Sequence, residues 1–170
     1  MIIIVCGLPG VGKTSLAKEL APLIRAVILS TDKIRKELIS KPTYRKQEKK
    51  LIYDVMLLLA KYLNDAGINC ILDATFNTEK SRKELKKKLN LISSPQISIV
   101  ECTCPEHIAI SRLRNRKNDY SDADISIYKN MRMRYQPIKE KHIVVDTSQQ
   151  SANKNSIDIA NRILKNETKN

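Results

Sequence analysis

Gly7-Leu8-Pro9-Gly10-Val11-Gly12-Lys13-Thr14 meets every position of the Walker A pattern G-x-x-x-x-G-K-[ST]. The flanks are the ones that pattern needs. Met1 to Cys6 is an apolar, β-branched run that reads as a buried strand, and Thr14 to Leu23 reads as a helix with apolar Leu16, Ala17, Leu20 and Ala21. Strand, glycine loop and helix in that order aim successive backbone N–H groups at one point, with the positive end of the helix dipole behind them. Lys13 adds a mobile cation for β- and γ-phosphates, and Thr14 a hydroxyl ligand for Mg²⁺. The chain is therefore expected to bind a nucleoside triphosphate, ATP, through Gly7, Pro9, Gly10, Val11, Gly12, Lys13, Thr14 and Ser15.

Working outward, strands and helices alternate along all 170 residues, the pattern of a parallel sheet covered on both faces. Further strands are expected at Ala26–Leu29, Ile68–Leu72, Gln96–Cys102 and His142–Val145. Between them lie expected helices from Thr31 to Leu38, Tyr44 to Ala66, about Thr78 to Asn90, Glu106 to Arg116, Asp122 to Tyr135, and Ile157 to Leu164. Ser30 and Thr31 look like caps, Gly67 a C-cap, and Thr103-Cys104-Pro105-Glu106 a capping box. The long third helix sets Leu51, Ile52, Val55, Met56, Leu59 and Leu63 on one side. The fold class is α/β, with five parallel strands, helices on both faces and no internal domain boundary. Residues 1–165 are read as one domain and 166–170 as a polar tail.

Composition narrows the setting. No apolar stretch approaches the ~20 residues that span a membrane, and Met1 to Val5 belongs to the first strand rather than to a leader, so a cytoplasmic protein is expected. Cys6, Cys70 and Cys102 fall in strands as small hydrophobes; Cys102-x-Cys104 lacks the further ligands of a thiolate metal site. Net charge is +13, which favours a polyanionic partner, yet 21 of the 31 cations are Lys, as proteome bias alone would give. The cluster Lys83, Lys86, Lys87 and Lys88 reads either as a solvated helix face or as a binding surface.

A second acidic site separates motors, switches and kinases. Ile71-Leu72-Asp73-Ala74 has the form of a Walker B strand end, where the carboxylate steadies Mg²⁺. Ala74 stands where a motor ATPase carries a water-activating Glu, and neither Asn-Lys-x-Asp nor Asp-x-x-Gly, the strings of a GTPase switch, occurs. Transfer to an acceptor other than water is the better reading. Asp32, at the start of the helix after the second strand, is placed either to accept the proton of an attacking hydroxyl or simply to stabilise a helix N-terminus.

Together, Gly7 to Thr14, Ser30-Thr31-Asp32-Lys33-Ile34-Arg35, Leu72-Asp73-Ala74-Thr75-Phe76, Cys104-Pro105 with Arg112 and Arg116, Ser121-Asp122-Ala123 and Asp146-Thr147 resemble the small P-loop kinases of the polynucleotide kinase and zeta-toxin-like type, an AAA-type ATP-binding group. These pieces stand in the expected order over about the first 150 residues. The resemblance implies a P-loop NTPase fold with a helical lid. It implies Asp32 as general base, Arg35 beside the acceptor, and Asp73 near Mg²⁺ and the γ-phosphate. It further implies Arg112 against adenine or the α-phosphate, Arg116 in the lid with Arg114 as a rival, and Asp146 and Thr147 at the loop bordering adenine. The catalytic set is then Lys13, Asp32 and Arg116; Asp32, Arg35 and Asp73 face the acceptor, and Thr14 and Asp73 hold the metal.

The acceptor is less determined. A polynucleotide 5′-hydroxyl, or another nucleic-acid or nucleoside hydroxyl, agrees with the charge, although six Tyr, one Phe and no Trp offer few stacking rings; Tyr44, Tyr120 and Tyr135 are the candidates. Sugars, nucleosides and antibiotic-like alcohols are alternatives, as is a nucleotide-binding regulatory or assembly module with weak ATPase activity.

Overall fold

Both faces of the first strand, β1 (Ile2–Cys6), are buried, and that decides how the chain is layered. Alternation sends Ile2, Ile4 and Cys6 into one core and Ile3 and Val5 into another. In this computed structural model, which describes residues 1–93, 96–116 and 120–167, β1 is the centre of a five-stranded parallel sheet of order β2-β3-β1-β4-β5. β2 (Ala26–Ser30) pairs with β3 (Asn69–Asp73), β3 with β1, β1 with β4 (Ile97–Thr103), and β4 with β5 (Ile143–Asp146).

Helix α1 (Lys13–Leu23) packs with α7 (Ala152–Glu167) on one face, through Leu16, Leu20, Ile159 and Ile163. The other face is covered by α2 (Thr31–Leu38), α3 (Lys46–Asp65) and α4 (Glu79–Ser93), through Ile34, Ile52, Met56, Leu85 and Leu89. Two nine-residue helices, α5 (Glu106–Arg114) and α6 (Ile125–Met133), pack on each other around Ala109, Leu113 and Tyr128, with Leu8 against them. That arrangement is the helical lid implied by the sequence, seated directly on the glycine loop. Among the described residues no helix is long and apolar enough to cross a membrane.

Several local readings change. Thr103 extends β4, and its hydroxyl donates to Val145 O at 3.3 Å, so no capping box forms; Pro105 is the residue at the α5 N-cap, without a side-chain cap. Ser30 likewise makes no side-chain cap on α2. Helix α5 stops at Arg114, leaving Arg116 in the following loop, and the break expected at Lys117–Ser121 lies partly outside the described residues. Helix α7 is about a turn longer at its start and runs on to Glu167, into the expected tail; 168–170 lie outside the described residues. The apolar set of α3 divides: Ile52 and Met56 are buried, whereas Leu51 and Leu59 face outward. Gly67 does close α3: at φ +72 it donates to Asn64 O at 3.0 Å while Ile68 N–H reaches Leu63 O at 2.8 Å, a Schellman ending.

The basic helix α4 is mostly a solvated face. Lys80, Lys83, Lys86 and Lys88 meet Glu84, Glu79, Glu140 and Asp54. Its Arg82 turns inward, only 2% exposed, where Nη1 donates to Phe76 O at 2.9 Å and Nη2 to Gln136 O and Pro137 O at 2.7 and 3.0 Å. One buried guanidinium therefore ties the loop after β3 to the segment after α6.

Burial pushes the Cys6 and Cys102 thiols up to about 12 and Cys70 to about 11, from an ordinary value of 9.0. The unfolded chain then gives up these protons first. Their contribution to stability is complete below pH 9.0 and is lost as pH rises toward 11–12. The urea midpoint should be level below about pH 9 and fall above it, with part of the fall removed in Cys70→Ala. A midpoint that stays level through pH 11 would contradict this packing of the thiols.

Candidate active site

Parallel pairing in register puts the ends of β2, β3, β1 and β4 along one edge: Ser30 beside Asp73, Asp73 beside Val5, and Cys6 beside Glu101. The chain moves from β3 on one side of β1 to β4 on the other, so a crevice opens at the C-terminal end of β1. The glycine loop fills that position. Gly7 has φ +133, and a Cβ there would stand 2.3 Å from Cys102 O; Gly10 has φ +79, and a Cβ would stand 2.7 Å from Ala109 O. No side chain fits at either position, so the loop lies close against β4 and α5, and Pro9, Gly10 and Gly12 line the crevice. Lys13 Nζ donates to Leu8 O at 2.8 Å, which stretches the ammonium across the loop.

Thr14 Oγ1 donates to Asp73 Oδ2 at 2.7 Å, and Asp73 is 3% exposed. A hydroxyl and a carboxylate so close at a helix N-terminus suit Mg²⁺, which takes one or two protein oxygens and completes its shell from phosphates and water. Among the described residues no group of three or more His, Cys, Asp and Glu side chains gathers as an all-protein cage would. The donor set fits a metal that arrives with nucleotide.

Across the crevice, Asp32 begins α2, and its side chain is 38% exposed. Arg35, one turn on, is buried; Nη1 donates to Asp32 Oδ1 at 3.0 Å and Nε to Glu48 Oε1 at 3.0 Å, while the Tyr44 ring covers its guanidinium at 4.9 Å. Glu48 also accepts from Thr43 N, Thr43 Oγ1 and Tyr44 N. Partial burial works to raise the Glu48 pKa, but the Thr43 hydroxyl and amide, the Tyr44 amide and Arg35 outweigh it and hold the carboxyl below its usual range. Arg35 thus lines the cleft beside Asp32, with its charge already shared by two carboxylates.

The far wall, at Arg112, is backed by Thr147. Its hydroxyl donates to Val11 O at 2.8 Å and accepts from Arg112 Nη1 at 2.8 Å; Arg112 Nη2 donates to Thr147 O at 2.9 Å, and Thr147 N–H reaches Thr103 O at 2.9 Å. Glycine loop, β4, α5 and the end of β5 are joined at that one side chain. Next to it, Ser148 N and Oγ donate to Asp146 Oδ1, which holds the Asp146 carboxyl below its usual range.

A cleft of about 560 Å³ unites these groups. Lys13, Thr14, Asp32, Asp73, Arg112 and Arg116 all line it, as do Pro9, Gly10, Gly12, Ser15 and Arg35, whereas Arg114 is exposed and Thr147 stands behind Arg112. Tyr44 joins the lining; Tyr135 instead donates to Glu101 and Tyr120 lies outside. Above the cleft, Lys36 Nζ and the Tyr44 hydroxyl both donate to Asp122, bridging α2 and the segment before α3 to the lid. Those two donors hold Asp122 below the usual carboxylate range. Sequence reasoning missed Glu48, Lys49 and Tyr53 in this wall, because they belong to no motif and only the packing of α3 against α2 brings its first turns to Arg35.

A family model described as an AAA domain matches residues 2–138. The chain belongs to that AAA domain family. An uncharacterized protein of Mycobacterium tuberculosis, Rv2004c, is 28% identical over 138 residues, which are 73% of this chain and 27% of that protein. The chain therefore spans about a quarter of the length of the curated relatives it matches. Among solved structures, the APS kinase CysC of M. tuberculosis in complex with AMPPNP and APS superposes with a TM-score of 0.74 at 19% identity, covering 94% of this chain and 95% of that one. Kti12 of Chaetomium thermophilum in complex with ADP-AlF3 gives 0.73 at 17% identity, covering 97% and 98%. The fold is that of the P-loop kinases.

Thr147→Val keeps the side-chain volume but removes the hydroxyl's bonds to Arg112, Val11 O and Thr103 O. We expect ATP affinity, measured by calorimetry, to fall by about tenfold, with the urea midpoint shifted only modestly. Unchanged affinity would remove Thr147 from the support of the loop.

Proposed function

We propose that this chain is an ATP-dependent phosphotransferase that carries the γ-phosphoryl group to an alcohol, with Asp32 as general base. The observation that carries the proposal is that a half-exposed Asp32 carboxylate lines one cleft together with Lys13, Thr14 and Asp73. ATP would lie along the glycine loop with adenine toward Asp146 and Thr147. Arg35 fixes Oδ1 of Asp32, and the other oxygen is the one that takes the acceptor's proton as the hydroxyl attacks. Mg²⁺, on Thr14 and, directly or through water, Asp73, would neutralise charge on the β- and γ-phosphates. Lys13 and Arg116 compensate the charge that builds up during in-line transfer. The lid over α2 excludes water, consistent with the absence of a water-activating acid after Asp73.

For the acceptor, the geometry favours a small hydroxyl compound such as a sugar, nucleoside or antibiotic-like alcohol. Tyr44 and Asp122, both in the cleft wall, are joined to each other and Asp122 also to Lys36, which narrows the space beside Asp32, and Arg35 has both its flanking carboxylates in place. A polynucleotide hydroxyl is the second reading, supported by the net charge of +13. A screen of transfer from γ-labelled ATP over small alcohols, nucleosides, tRNA and 5′-hydroxyl oligonucleotides separates them. Turnover on a small alcohol should be nearly insensitive to salt; a steep loss with added salt would favour the polyanion. ATP binding without transfer to any alcohol would favour the regulatory or assembly module.

Lys13→Ala should abolish transfer. Asp32→Asn should cut turnover by about 10²-fold or more while leaving the ATP dissociation constant near that of the wild type. Near-normal turnover in Asp32→Asn would remove it as the base.

A further inference from the structure

Helix α3 carries a second apolar stripe, on the side away from the sheet. Ile52, Met56, Leu57 and Ala60 are buried, yet Leu51, Leu58 and Tyr62 are 53%, 52% and 63% exposed; Val55, between them along the helix, is half-buried, with part of its side chain against the core. The spacing 51, 55, 58, 62 is four, three, four, the repeat of a coiled-coil seam rather than of a helix lying on a sheet. Among the described residues the main contacts of α3 run to α2, α4, β2 and β3, and they leave Leu51, Leu58 and Tyr62 exposed. The charges of α3 are also reversed with respect to its own dipole. Its first turns hold Lys46, Lys49 and Lys50 beside the single Glu48, whereas its last turn holds Asp65 and no cation.

We propose that this seam pairs antiparallel with the α3 seam of a second copy of the chain. Antiparallel pairing sets Leu51 against the second copy's Tyr62 and Val55 against its Leu58, each contact repeated by the two-fold axis. The same alignment sets Asp54 beside the second copy's Lys61, again twice, and lays each basic first turn along the negative end of the other helix. Parallel pairing in register would set Asp54 beside Leu59 and like ends together, so the charge pattern selects the antiparallel form and, with it, a copy of the same helix. Asp54 now meets Lys50 and Lys88, and Lys61 meets Asp65, but the Asp54 and Lys61 side chains are each 40% exposed. Exchanging such exposed pairs costs little. A seam of four layers on a 20-residue helix gives a concentration-dependent dimer rather than a permanent one.

Sedimentation velocity and light scattering on the full chain test this. The average mass should rise with concentration from 19.4 kDa toward twice that value. Leu58→Glu should hold it at the monomer mass at every concentration, with the circular dichroism spectrum and ATP affinity of the wild type. Asp54→Lys and Lys61→Asp should each weaken association by about tenfold, and the double exchange in one chain should restore it. A chain that stays monomeric throughout overturns the proposal, and so does a dimer indifferent to Leu58→Glu. A double exchange that associates no better than the single variants overturns the antiparallel register.

Discussion

Parallel pairing of β1 with β3 on one side and β4 on the other is the constraint on which the rest of this structure depends. The pairing fixes Asp73 and Glu101 level with the end of β1, so whatever follows Cys6 emerges between them. Only a loop without side chains at its closest approaches can turn there, because Cys102 O and Ala109 O leave no room for a Cβ at Gly7 or Gly10. The course of the loop, the start of α1 and the Thr14–Asp73 bond all follow from that one close fit.

Around this rigid centre the cleft is assembled from parts with separate supports. Thr147 ties the glycine loop to β4 and α5, Glu48 and Arg35 tie α3 to the start of α2, and Arg82 binds the post-β3 loop to the segment after α6. Arg35 is instructive because it is buried between two carboxylates. A buried cation is tolerated only when its donors are met, and here one of the partners that meets them is the carboxylate assigned to the chemistry. The same bond therefore settles the guanidinium and orients Asp32.

How much of this was legible depended on distance along the chain. The glycine loop, Thr14 and Asp73 could be read because local spacing dictates their backbone, and Asp32 because its place after β2 follows from strand order. Arg82 was hidden within a run of lysines that looks uniformly solvated, since only packing against Phe76 and Gln136 tells the inward cation from the outward ones. The faces of α3 were mixed for a related reason: Leu51 and Met56 are equally apolar, and which one meets the sheet is fixed by the tilt of the helix over β3. Thr103 failed as a cap because β4 extends one residue further, and β5 claims its hydroxyl.

The central claim is that the glycine loop and Asp32 act on one phosphorus from opposite sides. It is tested most directly by an experimental structure with ADP and aluminium fluoride. The account predicts the fluoride between Lys13 and Asp32, with the Asp32 carboxyl within hydrogen-bond reach, about 3 Å, of the apical position where an alcohol oxygen would stand. A fluoride bound at the loop with the Asp32 carboxyl turned to bulk solvent would contradict it.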